Sequence, residues 1–230
     1  MARRPSDLSD FPRPSVAVDV AVMTVTDQGD LAVLLYRRTG DRAGMWALPG
    51  RFLREGERLA DAVTHTLEEK CHLTPAAIGG RVPRQLHVFD DPERDDRGWV
   101  LSVGHLLVVP FEQLAPLVAA HDDLVIANVV TGRAQAPQGQ LDLPYGQDEI
   151  VTRARDELVS LYGTIPDPER LIDRDTFTLS ELAEVHFAVL GTEQWPIDTF
   201  RRKMSRQLRE TGEVVRRGPG RPAALFQRVP

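Results

Sequence analysis

Phe200-Arg201-Arg202-Lys203-Met204-Ser205-Arg206-Gln207-Leu208-Arg209 repeats a large apolar residue every fourth position, at Phe200, Met204 and Leu208, and leaves Arg201, Arg202, Ser205, Arg206 and Arg209 on the other side. That period predicts a helix with one buried and one cationic face, capped by Asp198 and stopped by Gly212. Upstream, Thr178-Leu179-Ser180-Glu181 has the form of a capping box, and Leu179, Leu182, Val185, Val189 and Leu190 give a helix one apolar face before Gly191 closes it. A turn through Trp195-Pro196 joins the two. Two short helices with a basic second one make a helix-turn-helix, whose second helix enters the major groove. Downstream, Val214-Val215 and Ala223 to Phe226 read as short strands around a tip of Arg, Gly and Pro, which is a wing. The expected DNA-binding residues are Thr199, Arg201, Arg202, Lys203, Ser205 and Arg206 on the helix, with Arg216, Arg217 and Arg221 on the wing. Base contact falls to Arg201, Arg202 and Ser205, and phosphate or minor-groove contact to the wing arginines. A helical protein-docking module is the other reading, and the wing charges weigh against it.

The 230 residues carry a formal net charge of −6, unevenly spread. From Arg201 onward nine basic residues face two acidic ones, a balance of +7, so the preceding 200 residues hold −13. Such segregation suits a polyanion-binding segment on an acidic body, and on charge alone suits an exposed basic helix equally. Cys71 is the single cysteine, which excludes a disulfide framework and a zinc site of several thiolates and fits a cytoplasmic protein. Residues 1–14 mix Arg3, Arg4 and Arg13 with Asp7 and Asp10 and lack the apolar stretch of a signal peptide, so a flexible arm is expected. No apolar run reaches the roughly 18 residues of a membrane helix.

At the other end, the β-branched run Val16 to Val25 and the segment Leu31 to Tyr36 flank Asp27-Gln28-Gly29-Asp30, the pattern of a hairpin. Trp46-Ala47-Leu48-Pro49-Gly50-Arg51-Phe52-Leu53-Arg54-Glu55-Gly56-Glu57 follows, then a helix with Leu59, Ala62, Val63 and Leu67 on one face. Here the chain resembles the Nudix family, whose signature G-x5-E-x7-R-E-U-x-E-E-x-G-U binds magnesium beside a nucleotide pyrophosphate. Glu57 takes the first glutamate position and Leu67 and Leu73 the aliphatic ones. Arg51 replaces the glycine, His65 the arginine, Thr66 and Lys70 two glutamates and His72 the last glycine; Glu69 alone survives of the metal-binding stretch. A hard dication needs oxygen ligands, and a lysine there repels it and pairs with a phosphate instead. Without the metal, the water nucleophile and the developing charge lose their main stabiliser. No catalytic residue and no metal ligand is therefore expected; His65 and His72 read as surface or core-edge residues rather than replacement ligands.

A Nudix-like domain followed by a winged helix resembles the Nudix-related transcriptional regulators of NAD metabolism. The resemblance rests also on residues 85–98 with the strand Val100 to Val109, on Pro144-Tyr145-Gly146-Gln147-Asp148-Glu149-Ile150, and on Gly220-Arg221-Pro222-Ala223. It implies an α+β protein: an α/β/α sandwich with a mixed sheet over 15–143, a linker helix and connection over 144–175, and the winged helix-turn-helix over 176–230. It implies a homodimeric repressor on a palindromic operator, with ADP-ribose or a related nucleotide as effector and no required cofactor. The linker helix is expected over Asp148 to Tyr162, with Thr164 to Arg174 as connection and Gly132 to Gly139 as an exposed loop. For the ligand, Arg37, Arg51 and Arg97 are the phosphate-facing candidates and Glu57 a loop-ordering residue; Arg37 and Arg38 read equally as solvated strand ends, and Arg97 as part of a charged turn. The competing function is an active Nudix pyrophosphohydrolase with a nucleic-acid-binding tail.

Overall fold

Strand β1 (Ser15–Val25) forms from the β-branched run and is buried along nearly its whole length, as a strand covered on both faces must be. In the computed structural model, which describes residues 10–136, 139–191, 195–216 and 222–229, it turns through Thr26 to Asp30, where Gly29 takes φ +81°, into β2 (Leu31–Arg37). The chain then forms β3 (Trp46–Ala47), β4 (Gly50–Phe52), helix α1 (Leu59–Cys71), β5 (Arg84–Phe89) and β6 (Val100–Val108). Helix α2 (Phe111–Ala120), β7 (Leu124–Val130), β8 (Arg133–Ala136), β9 (Gly139–Gln140) and α3 (Gln147–Tyr162) follow. The sheet order is β5-β6-β1-β2-β7-β8-β9, with β3 on β2 and β4 on β1. Among the described residues of this sheet, only β1 and β6 pair in parallel.

The period of two along the strands sorts the core into two layers. Ala21, Met23, Val33 and Leu35 share a cluster with Ile150, Val151, Ala154 and Leu158 of α3. Val18, Val20, Val22 and Leu34 share the other with Ala62, Val63 and Leu67 of α1 and Leu114 of α2. The result is the expected α/β/α sandwich around a mixed sheet. One local expectation fails. Within the expected loop from Gly132 to Gly139, residues 133–136 form β8, because Thr131 (φ +51°) and Gly132 (φ +82°) make a two-residue hairpin turn that pairs Val130 with Arg133. Helix α3 matches the helix expected over Asp148 to Tyr162 to within one residue at its start, and its stripe, buried on the sheet, also makes it a layer of the sandwich.

The C-terminal part consists of β10 (Thr176–Phe177), α4 (Leu179–Leu190), α5 (Ile197–Ser205), β11 (Leu208–Val215) and β12 (Ala223–Arg228). The capping box is present: Thr178 Oγ1 accepts from the Glu181 N–H at 3.2 Å, and Glu181 accepts from the Thr178 N–H at 2.8 Å. Phe177, Leu182, Ala183, Phe200 and Met204 build the small core, and the sheet runs β10-β12-β11, a winged helix. The second helix is shorter than its period predicted. Pro196 is its N-cap instead of Asp198, and it ends at Ser205, because Leu208 reaches the same core from a strand paired with Arg228. Gly212 (φ +81°) lies at an irregularity within β11 rather than at a helix end, so the wing strands are longer than expected. The wing tip with Arg217 and Arg221, and most of the N-terminal arm, lie outside the described residues.

The two parts share more than a tether. Val189 of α4 and Leu171 belong to the same core cluster as α3 and the sheet. Residues 164–175 form no helix or strand, yet Asp167 among them is fully buried. Its carboxylate accepts from the Tyr162 hydroxyl (2.9 Å) and from the backbone N–H of Leu171 (2.8 Å) and Ile172 (3.0 Å), and pairs with Arg228. The Asp167 N–H donates to His186 Nε2 at 3.0 Å, and His186 Nδ1 donates to the Tyr162 carbonyl at 2.9 Å. Helix α3, the connection, α4 and β12 thus meet at one residue, Asp167.

Candidate functional site

Strand ends and loops converge on a cleft of about 310 Å³. Strand β2 ends in Arg37 and Arg38, β4 brings Arg51 and Phe52, α1 brings Glu69 and Lys70, the β5–β6 loop brings Arg94, Asp95 and Arg97, and Tyr145 and Gln147 come from the start of α3. Arg37, Arg51 and Arg97, separated along the chain, therefore line one wall system. Tyr145 is surrounded by guanidinium groups, with Arg97, Arg42 and Arg38 at 4.0, 4.7 and 5.0 Å from its ring centre. Its hydroxyl donates to Asp41, and that bond, followed by the charges of Arg97, Arg38 and Arg42, holds the Asp41 carboxyl below its ordinary range. Arg97 also lies 5.2 Å from the Phe52 ring and donates to both Asp95 oxygens at 2.8 and 2.7 Å, so its charge is already matched. Arg37 differs: its backbone N–H is bonded to the Asp123 carbonyl, but among the described residues its guanidinium has no hydrogen bond or ion pair.

The floor is a closed polar network. Asp19, buried in the otherwise apolar β1, accepts from the Ser102 hydroxyl and from Gln147 Nε2 (2.7 Å), with Arg94 at 3.8 Å. Gln147 also accepts from the Leu48 N–H at 2.8 Å. Gly50 is required above it, since a Cβ there would lie 2.1 Å from Asp19 Oδ1.

The degenerate box sits on one side. Glu57 accepts from the Arg54 N–H at 2.9 Å and contacts His65 at 3.0 Å; the first bond, then the second, draws its carboxyl below the usual range. Glu57 does not line the cleft but stands 3.9 Å from Arg51, whose other nitrogen is 3.5 Å from Glu69. A guanidinium thus lies between the two remaining carboxylates. Thr66 is fully buried and donates to the Ala62 carbonyl at 2.7 Å, which turns it away from solvent. Lys70 Nζ donates to the Gly50 carbonyl and, at 3.0 Å, to the Tyr36 hydroxyl. The Mg²⁺ of the Nudix pattern needs free carboxylate oxygens, and a site that already holds two cations beside them does not fit it.

On the winged helix, Arg201, Arg202 and Arg206 are exposed, Thr199 and Ser205 are partly buried, and Arg216 is exposed just past β11. Lys203 is exposed as well; its ammonium donates to the Gly163 carbonyl at 3.1 Å and lies 3.8 Å from the Trp195 ring centre, a contact between α5 and the end of α3.

Comparison with known proteins follows the same division. Residues 174–227 match the family model of the NrtR DNA-binding winged helix domain. The ADPR responsive transcriptional repressor NtrR of Acinetobacter baylyi is 28% identical over 226 residues, covering 95% of this chain and 84% of the relative. The crystal structure of Shewanella oneidensis NrtR complexed with a 27mer DNA superposes with a TM-score of 0.73 at 27% identity, covering 93% of each chain. The chain is thus similar to Nudix-related transcriptional regulators along both of its parts. The Nudix domain of Shewanella oneidensis NrtR complexed with ADP ribose matches with a TM-score of 0.52 at 26% identity over 66% of this chain and 94% of that one.

Sequence reasoning did not assign several residues to the cleft. Arg94, Asp19 and Gln147 reach it from three distant segments, and Tyr145 and Gln147 enter the sequence reading only within the stretch that carries the resemblance. One signal was present: a carboxylate inside the apolar run Val18-Asp19-Val20 has to be answered by buried donors.

Proposed function

We propose that this protein is an ADP-ribose-responsive repressor of NAD synthesis or salvage genes, acting in the cytoplasm as a homodimer on a palindromic operator. Residues 15–143 bind the effector, 144–175 couple, and 176–230 bind double-stranded DNA. The observation that carries this reading is a cation- and aromatic-lined cleft joined, through α3 and Asp167, to a winged helix with Arg201 and Arg202 exposed. Arg37 and Lys70 supply charge for a pyrophosphate, and Tyr145 and Phe52 supply rings for a base. The named properties of the Acinetobacter and Shewanella relatives support it.

The effector is bound and not cut, because Glu57 and Glu69, the carboxylates left to hold a metal, are already paired with Arg51. No cofactor is needed. Nucleotide binding acts on DNA affinity through its different affinity for the two arrangements of the winged helices, the only way a ligand can move such an equilibrium. Selection of genomic fragments with and without ADP-ribose tests this: a palindromic fragment should be retained without the nucleotide and released with it. Incubation with ADP-ribose and Mg²⁺ or Mn²⁺ should yield no AMP. Robust turnover would favour the hydrolase reading, and absence of sequence-specific retention would favour a docking tail.

A further inference from the structure

At the C-terminal end of α1, three residues beyond Glu69, two imidazoles and a carboxylate come together. His72 caps the C-terminus of α1 and His121 that of α2. Their rings stack at 3.8 Å between centres and 10° between planes. Asp123, the residue immediately before β7, completes the group, and a ligand atom from each of the three lies within 4.8 Å of the others. We infer that His72, His121 and Asp123 form a binding site for one borderline divalent cation of the Zn²⁺ class.

Four observations bear on this. The donor set is two nitrogens and one oxygen, which suits Zn²⁺ and its neighbours and not Mg²⁺ or Ca²⁺, whose ligands are oxygens. Three protein ligands with one open position for water is a usual zinc arrangement. Two helices end at this point, and each C-terminus presents partial negative charge that favours a cation. His72 holds a left-handed backbone (φ +56°, ψ +23°), a conformation that favours glycine and is strained for a histidine. Cys71 beside it is fully buried in the core, so sulfur is not part of the set.

The approach needed is small. Tetrahedral bonds of roughly 2.1 Å put ligand atoms about 3.4 Å apart. His72 and Asp123 are exposed and His121 partly so, which leaves their side chains room to rotate inward and lets an ion enter from solvent. The stacked rings would have to slide and tilt so that both nitrogens point at one ion. The consequence reaches the cleft, because Asp123 lines it and its carbonyl accepts from the Arg37 N–H at 2.6 Å. A bound ion would tie the caps of α1 and α2 to this wall and stiffen it. The site does not depend on the nucleotide reading.

The test is Zn²⁺ titration of the untagged, metal-free full chain against a chromophoric chelator, with the wild type, His72→Asn and His121→Gln compared. Asparagine tolerates the left-handed position, and circular dichroism and thermal melting of each variant confirm that it is folded. The wild type should bind one equivalent, and each variant should bind at least about a hundredfold more weakly, more than loss of a supporting outer residue costs. Glu69→Gln should bind Zn²⁺ as the wild type does, which separates this site from the box. Co²⁺ loading should give visible absorption bands that His121→Gln abolishes. Zn²⁺ binding undiminished in both histidine variants, or no stoichiometric binding by the wild type, overturns the site.

Discussion

Individual residues in the cleft make different demands. Of the three arginines predicted to face the ligand, Arg37 alone is uncommitted within the described residues, whereas Arg97 is held by Asp95 and Arg51 by Glu57 and Glu69. Arg37→Ala should therefore weaken ADP-ribose binding about tenfold, near 1.4 kcal/mol, while leaving nucleotide-free DNA binding intact, as calorimetry and a gel-shift assay would read. Gly50→Ala is a structural test of the floor. A Cβ 2.1 Å from Asp19 Oδ1 and 2.8 Å from the Val18 carbonyl has to displace a buried network, so a loss of about 2 kcal/mol or more in denaturant unfolding is expected. On the recognition helix, Arg201→Ala or Arg202→Ala should cost about 1–3 kcal/mol of discrimination at one base position. Arg216→Ala should weaken all DNA sequences alike and flatten the salt dependence.

Among the elements, the seam between α3, α4 and β12 is where sensor and output are mechanically joined. Burial drives the His186 imidazole down to about 4, with Asp167 only partly offsetting it. The neutral ring accepts from the Asp167 N–H at Nε2 and donates at Nδ1, so a second proton would face a donor with no acceptor. The sign follows. A free histidine titrates near 6.5, so as pH falls from there toward 4 the unfolded chain takes up a proton that the folded chain refuses. Stability from this group should be intact above about 6.5 and decline by up to roughly 3 kcal/mol as pH approaches 4. Denaturant midpoints across that range should show the decline, and His186→Asn should flatten its slope. The helix and strand types here were legible, since capping box, hydrophobic period and turn residues are local signals. Their ends were not: Leu208 satisfies the same core contact from a strand as from a helix, and only the pairing with Arg228 distinguishes the two.

At the scale of the whole molecule, the charge segregation and the shared core make a two-part device. A C2 dimer would set its recognition helices about 34 Å, or a multiple of it, apart along the DNA. Light scattering should find a dimer, and binding should require both half-sites of a palindrome. A monomer bound to isolated half-sites would sink this geometry.

The cationic face of Phe200 to Arg209, the wing composition, the alternation of β1 and the loss of box carboxylates were determined by the sequence itself, because each is a property of neighbours along the chain. The tertiary structure alone decided that Arg51 bridges Glu57 and Glu69, that Lys203 turns back to Gly163, and that His72 meets His121. It also gathered Asp19, Arg94 and Gln147 under one cleft and buried Asp167 at the joint. These contacts join segments that are close only once the sheet has ordered its strands and the helices have covered it, and a buried charge finds its partners through that packing rather than through spacing along the chain.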